Sequence, residues 1–371
     1  MRAAVFADQL LYKIPGGIAT YLRCLAPELL RQGGGDEFVF FHCGRKGDDL
    51  EGLPGGSLRM RVPGGRALLG ISWNYLRRPR VEGCLGRLDI LHATQLVVPA
   101  GRAPLVATVH DLFVMRYPGS FPPRWRRLLL RGLEVTLKEA RLLLANSRAT
   151  ADDLASVLRQ GDDRVRVVPL GVEEPPSSPP GAVEEARRRH GLPESYLIHV
   201  GTREPRKNLQ RLLDAYRLGR DGGWIPRETG LALVGPAGWG TEEAERQAAT
   251  QPGVSMVGFV PAGELDLLLK GAVALVYPSL DEGFGLPVLE AMARGIPVVT
   301  SDTSATREVA EGAALLVDPC DVCALAEAMA EICTDARRRE ELGRLGLERA
   351  SGYRWEETAR LTLQAYREAA A

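Results

Sequence analysis

Short apolar runs alternate with longer amphipathic stretches along almost the whole chain, and few folds satisfy that pattern. In the first half the runs are AAVFA (3–7), FVFFHC (38–43), ILHA (90–93), LVATVH (105–110), LLLANS (142–147) and VRVVPLG (165–171). In the second they are YLIHVG (196–201), LALVG (231–235), VSMVGFV (254–260), VALVYPS (273–279), IPVVTS (296–301) and AALLVD (313–318). Helical patterns lie between most of them, as at 17–31, 124–140, 208–219, 264–271 and 287–294. Strand–helix alternation implies right-handed βαβ units and parallel sheets covered on both faces. The run Glu173-Glu174-Pro175-Pro176-Ser177-Ser178-Pro179-Pro180-Gly181 cannot continue a helix or a central strand. It reads as a stiff linker, 175–181, between domains 1–174 and 182–353. A last helix, about 354–371, is followed by no strand and is expected to pack back on the first domain. The expected architecture is α/β: two Rossmann-like domains facing across a cleft, with ligands at the carboxyl ends of the strands.

Composition narrows the function classes. The 371 residues carry 47 basic and 47 acidic side chains, so net charge calls for no nucleic-acid partner. No stretch reaches the ~20 apolar residues of a membrane span. The opening MRAAVFADQL reads as a first buried strand, not a signal peptide. Six cysteines in a chain of this length do not make a disulfide framework. The Cys320/Cys323 pair opens a helix capped by Asp318 or Asp321 and reads as structural, since no second pair of metal ligands follows. These features point to a reducing, cytoplasmic compartment. Residues Arg124 to Arg141 form a basic helix with Trp125 and many leucines. It reads as one core face and one solvated face, with peripheral contact to an anionic membrane as the alternative.

The stretch Pro278 to Met292 carries the most chemistry. An apolar strand ends at Tyr277; Gly283 and Gly285 permit a tight loop close to a ligand. Pro287 suits the first turn of a helix, whose free amides and positive dipole end hold phosphate. Glu282 lies in the loop and Glu290 on the helix, where side chains lean back toward the N-terminus. Two such carboxylates suit the vicinal hydroxyls of a hexose or a ribose. The second stretch is Gly201-Thr202-Arg203-Glu204-Pro205-Arg206-Lys207-Asn208. Its cations, Arg203, Arg206 and Lys207, neutralise a diphosphate and the charge that grows on it as it leaves. Asn208 is placed to cap the next helix. In the first domain, Gly16 and Gly17 sit between the first strand and a helix, and His110 follows the run 105–109.

These residues resemble the family 4 glycosyltransferases, retaining enzymes of the two-domain GT-B fold. The family's E-x7-E signature matches Glu282 to Glu290 with GFGLP inside it, and PGGIATY (15–21), TVHDL (108–112), ANS (145–147), GTREPRKNL (201–209), VGFV (257–260) and LVDP (316–319) follow in order. The resemblance implies a nucleotide-diphosphate sugar as donor and a glycan, lipid or small molecule as acceptor. It implies that Glu282 contacts the transferred hexose, Glu290 the ribose hydroxyls, and Arg206 and Lys207 the diphosphate. Gly16, Gly17 and the amides of Phe284, Gly285 and Leu286 would line phosphate and sugar. Phe259 would border the base and His110 would touch the hexose. Many members have Arg where this chain has Thr202, so Arg203 rivals Arg206, and Arg307 stands where Pro is frequent. Members with EPRKN-type loops often use GDP-mannose. No cofactor or metal is implied: the chain lacks the Asp-x-Asp of the other large glycosyltransferase fold. A nucleotide-sugar epimerase and a non-catalytic nucleotide-sugar-binding protein are the alternatives on the same architecture.

Overall fold

The computed structural model describes residues 1–14, 16–160 and 162–371. Two compact units emerge: Met1–Gly171 with Arg354–Ala371, and Val172–Tyr353. Residues 175–181, read from the sequence as a linker, lie with the second unit, where Lys270 Nζ donates to the Pro176 carbonyl (2.5 Å) and to Ser178 Oγ (2.8 Å).

The first unit holds strands β1 (Arg2–Phe6), β2 (Glu37–His42), β3 (Leu58–Arg61), β4 (Ile90–Ala93), β5 (Leu105–Val109), β6 (Ala140–Ala145) and β7 (Val165–Val167). They pair in parallel in the order β3-β2-β1-β4-β5-β6-β7. Strand β3 was not expected. Its Leu-Arg-Met-Arg alternates at a half-exposed sheet edge, so it lacks the continuous apolar run of strands covered on both faces. The second unit holds β8 (Ser195–Val200), β9 (Thr229–Val234), β10 (Val254–Gly258), β11 (Ala274–Tyr277), β12 (Val298–Ser301) and β13 (Leu315–Val317). Its parallel order is β10-β9-β8-β11-β12-β13.

Each unit buries its own core, around Phe6, Phe41, Trp73 and Leu143 in the first and Leu197, Leu212, Tyr216 and Val276 in the second. The last helix, Trp355–Ala370, belongs to the first unit. Its Tyr366 hydroxyl meets the buried His92 Nδ1 at 2.6 Å, and Thr358 Oγ1 donates to the Pro169 carbonyl at 2.7 Å. In both sheets the chain order reverses beside the first strand of the unit, between β1 and β4 and between β8 and β11. Ligands of open α/β sheets bind outside the carboxyl ends of the strands at such a reversal.

Cys320 and Cys323 are free and exposed. Asp321 caps the helix Val322–Thr334, accepting from the amides of Cys323 and Ala324. Among the described residues, no helix is long and apolar enough to cross a membrane.

Candidate functional site

Strands β8 and β11 are neighbours, and the two motifs leave their carboxyl ends side by side although 75 residues separate Lys207 from Glu282. Backbone bonds join the two loops. Leu280 N–H donates to the Arg206 carbonyl at 2.9 Å. The Asn208 amide donates to the carbonyls of Pro278 (3.0 Å) and Pro319 (2.7 Å). Asn208 stands at the N-cap position of the helix Leu209–Asp221, but its side chain caps nothing. Its left-handed backbone, φ 58°, turns the side chain toward the β11 loop, so the capping role expected from sequence gives way to a loop tie.

The centre of the site is the Glu282 carboxylate. Lys207 Nζ donates to its Oε1 at 2.5 Å, the Tyr277 hydroxyl donates to the same oxygen at 2.9 Å, and Arg206 Nη1 donates to Oε2. Lys207 also donates to the Tyr277 hydroxyl and lies over its ring, 4.7 Å from the centroid. Arg206 reaches back to Glu204 Oε1 with Nε (3.0 Å) and Nη2 (2.8 Å). Lys207 and Glu282 keep only 6% and 7% of their surface exposed, so this is a desolvated ion network. Burial works against the Glu282 charge, yet Arg206 and Lys207 hold its carboxyl well below the usual carboxylate range. Burial and the neighbouring Arg206 push the Lys207 ammonium down from its ordinary value, with Glu282 opposing. Behind the network, the buried His199 ring stacks on Tyr277 at 5.7 Å and 21°. Burial lowers its pKa to about 4, so it is neutral.

After Glu282 the chain turns through Gly285, φ 98°, a left-handed conformation that favours glycine, into the helix Leu286–Met292. Pro287 brings no amide proton to its first turn, and the amides of Val288 and Leu289 both donate to the Gly285 carbonyl, at 3.0 and 3.2 Å. Phe284 is buried edge-on against Tyr353, with ring centroids 5.8 Å apart. Glu290 is the fifth residue of that helix, half-buried. Burial raises its pKa to about 7, countered by Arg294 and reinforced by Glu173. Phe259 lies just past the end of β10 and is 47% exposed.

The structure separates the two rival arginines. Arg203 Nε binds Glu245 Oε1 at 2.7 Å and its Nη1 the Gly235 carbonyl at 2.7 Å, which ties β8 to β9. Arg206, not Arg203, joins Lys207 on Glu282. Sequence reasoning missed Tyr277 and Glu204. Tyr277 reads as one more apolar residue of VALVY; the signal available was its phenol, which needs a partner when buried.

In the first unit, Gly16 caps the helix Gly17–Gln32, and a Cβ there would meet nothing within 4 Å. Pro15, part of the same motif, lies outside the described residues. His110 follows β5. Its Nε2 is 3.0 Å from the Thr94 carbonyl and its Nδ1 2.7 Å from Asn146 Nδ2. With the carbonyl only accepting and the amide only donating, the proton sits on Nε2. Burial takes its pKa to about 4, so the ring is neutral and both nitrogens are engaged within the unit.

Residues 15–174 match the profile of Glycosyltransferase Family 4, and residues 182–349 that of the glycosyl transferases group 1. The chain is 31% identical over 287 residues to O-antigen chain mannosyltransferase B of Escherichia coli, which covers 75% of this chain and 74% of that relative. It is 28% identical over 383 residues to the D-inositol 3-phosphate glycosyltransferase of Paenarthrobacter aurescens, over 95% of this chain and 93% of the relative. In fold it is similar to HepE of Anabaena, solved in complex with UDP-glucose, with a TM-score of 0.75 at 19% identity over 99% of each chain. The chain belongs to family 4 of the glycosyltransferases, the group 1 glycosyl transferases, and has their GT-B fold.

Proposed function

We propose that the protein is a retaining hexosyltransferase that takes mannose from GDP-mannose, with the second unit binding the donor and the first unit the acceptor. The observation that carries the reading is the pair of cations, Arg206 and Lys207, on the single buried carboxylate of Glu282 at the β8/β11 reversal. A diphosphate offers those cations more charge than one carboxylate does. Binding would draw them onto phosphate and release Glu282 to accept from hexose hydroxyls. As the sugar leaves, charge grows on the β-phosphate, where two fixed cations and the amides of Phe284, Gly285 and Leu286 stabilise it. These groups perform the charge stabilisation without a metal, so turnover is expected to survive EDTA. Glu290 accepts from the ribose diol, and Phe259 borders the base. His110 is assigned to the hexose: its Nε2–H would exchange the Thr94 carbonyl for a sugar hydroxyl. The similarity to an O-antigen chain mannosyltransferase of Escherichia coli supports mannose. The UDP-glucose held by HepE makes the uridine donor the alternative to test.

Thermal shift with GDP, UDP, ADP and their sugars reads the donor. A ligand at 100 times its dissociation constant adds ~2.7 kcal/mol of stability. Acceptor-dependent release of nucleoside diphosphate then distinguishes transfer from epimerisation and from binding alone. Tight donor binding without turnover across glycan, lipid and small-molecule acceptors would overturn the enzyme assignment.

A further inference from the structure

A surface helix of a water-soluble unit normally has one apolar stripe and one charged face. The helix Arg66–Leu76 of the first unit departs from this: between Arg66 and Arg77 it carries no charged residue. Leu69, Gly70, Trp73 and Asn74 face inward and are buried. The opposite side exposes Leu68 (67%), Ile71 (53%), Tyr75 (48%) and Leu76 (70%). Leu68, Ile71 and Tyr75 are spaced i, i+3, i+7, which puts them in one row along the helix. The helix is thus uncharged between Arg66 and Arg77 while its Leu68, Ile71, Tyr75 and Leu76 side faces solvent, a feature that marks an interaction surface.

Along the chain the segments flanking this row carry only basic charge, of which Arg59, Arg66, Arg77, Arg116 and Arg131 are ion-paired to Asp49, Asp8, Glu139, Asp153 and Glu134. Residues 52–81 contain six arginines and no acidic residue. Residues 112–133 contain five more, again with no acid, in a chain whose total charge is zero. The helix Pro123–Glu139 within and beyond that second segment packs on the first helix. Asn74 Nδ2 donates to the Leu128 carbonyl at 3.2 Å, Arg131 Nε donates to the Asn74 carbonyl at 2.9 Å, and the Arg131 guanidinium sits 5.8 Å from the Tyr75 ring centroid. Among the described residues, the two segments hold eight of the fifteen exposed large hydrophobics, Trp125 at 56% among them. The basic helix, read from the sequence as one core face and one solvated face with membrane contact as the alternative, turns Gly132, Leu133, Val135 and Thr136 inward. The apolar row that faces solvent belongs to its neighbour.

We infer that the Arg66–Leu76 face, flanked in the chain by basic segments whose Arg78 and Arg80 are exposed just past the helix, docks on an anionic lipid surface. An apolar row buried at the headgroup boundary within a cationic collar is the pattern of interfacial helices. Arginines near an anionic leaflet strengthen binding and make it salt-dependent. The inference stands apart from the assignment of donor and reaction.

The test is co-sedimentation of the full chain with vesicles of phosphatidylcholine, with and without about one-third phosphatidylglycerol. The expected result is binding at least ~10-fold tighter to the anionic vesicles, weakened by salt. L68E/L76E, on exposed positions, is expected to lose ~10-fold or more at an unchanged melting temperature. R78E/R80E is expected to lose the preference for anionic vesicles. No binding to anionic vesicles, or binding undiminished in L68E/L76E, would overturn the proposal. So would a concentration-dependent dimer, seen by sedimentation velocity, that L68E/L76E dissolves while vesicles stay unbound, because the face would then serve a second copy of the chain.

Discussion

At the scale of single residues, Glu282 and Glu290 are both carboxylates of one signature in opposite electrostatic states. Glu282 is held charged by two cations, whereas Glu290 is pushed up to about 7 by burial. A carboxylate accepts from both ribose hydroxyls only when ionised. Nucleoside diphosphate affinity is therefore expected to rise from pH 6 to pH 8 with an apparent pKa near 7, and Glu290→Gln should flatten that profile. Glu290→Ala should weaken bare diphosphate by ~1.5–3 kcal/mol, the scale of a hydrogen bond to a charged group. Glu282→Ala should spare the diphosphate and impair sugar-dependent steps. Calorimetry with diphosphate and with a non-hydrolysable donor checks both, and equal losses on the bare diphosphate would refute the division. Arg206→Ala and Lys207→Ala are each expected to cut turnover by ~10²–10³, as removal of one transition-state donor does. Steady-state rates near wild type would remove them from the charge-stabilising role.

At the scale of elements, the helix Pro123–Glu139 approaches the 94–98 segment more closely than any side chain allows. A Cβ on Gly132 would fall 1.7 Å from the Leu96 carbonyl oxygen and 2.8 Å from Asn74 Nδ2. Both neighbours are fixed: the Leu96 carbonyl accepts from Asn74 Nδ2 at 3.0 Å. Gly132→Ala should therefore force the helix away from the 94–98 segment and cost ~1–3 kcal/mol, the usual scale of overpacking, against the small gain in helix propensity. Urea unfolding measures it, and a neutral or stabilising result would show that the helix slides freely. The same closeness brings Asn74, Leu128 and Arg131 together, which makes the two helices one packed element.

At the scale of the whole molecule, buried histidines set the acid response. His92 is fully buried between Tyr366 and Thr108, bonded to them at 2.6 and 2.8 Å, and burial lowers its pKa to about 3. Below its unfolded value of about 6.5 the unfolded chain takes up a proton that the folded unit refuses. Stability from His92 is thus full above that value and falls as pH drops, by ~1.4 kcal/mol per pH unit. In the second unit His199 acts in the same sense, but Glu290, raised to about 7, acts in the opposite one: its contribution is full below about 4.5 and lost as pH rises toward 7. Acidification from pH 6.5 to 4.5 should therefore weaken the first unit more than the second. Hydrogen exchange resolved along the chain checks this, and because the buried His110, lowered to about 4, acts in the same sense in the first unit, His92→Gln should remove part of that unit's slope and leave the rest. Equal loss of protection in both units would refute it.

The sequence by itself determined the alternation of strands and helices, the two-unit plan and the candidate loops, because each rests on local chemistry: apolar runs for buried strands, Gly and Pro for turns, cations and carboxylates at strand ends. It left Arg203 and Arg206 as rivals, offered Asn208 as a cap, passed over Tyr277 as core and missed β3. Only the tertiary structure decided these. Each depends on which segments meet across the sheet or across a helix pair. Strand order set Lys207 against Glu282 and Tyr277, turned Arg203 toward β9, and left the apolar side of Arg66–Leu76 facing solvent. Proximity between residues far apart in sequence is a property of topology, and local pattern does not encode it.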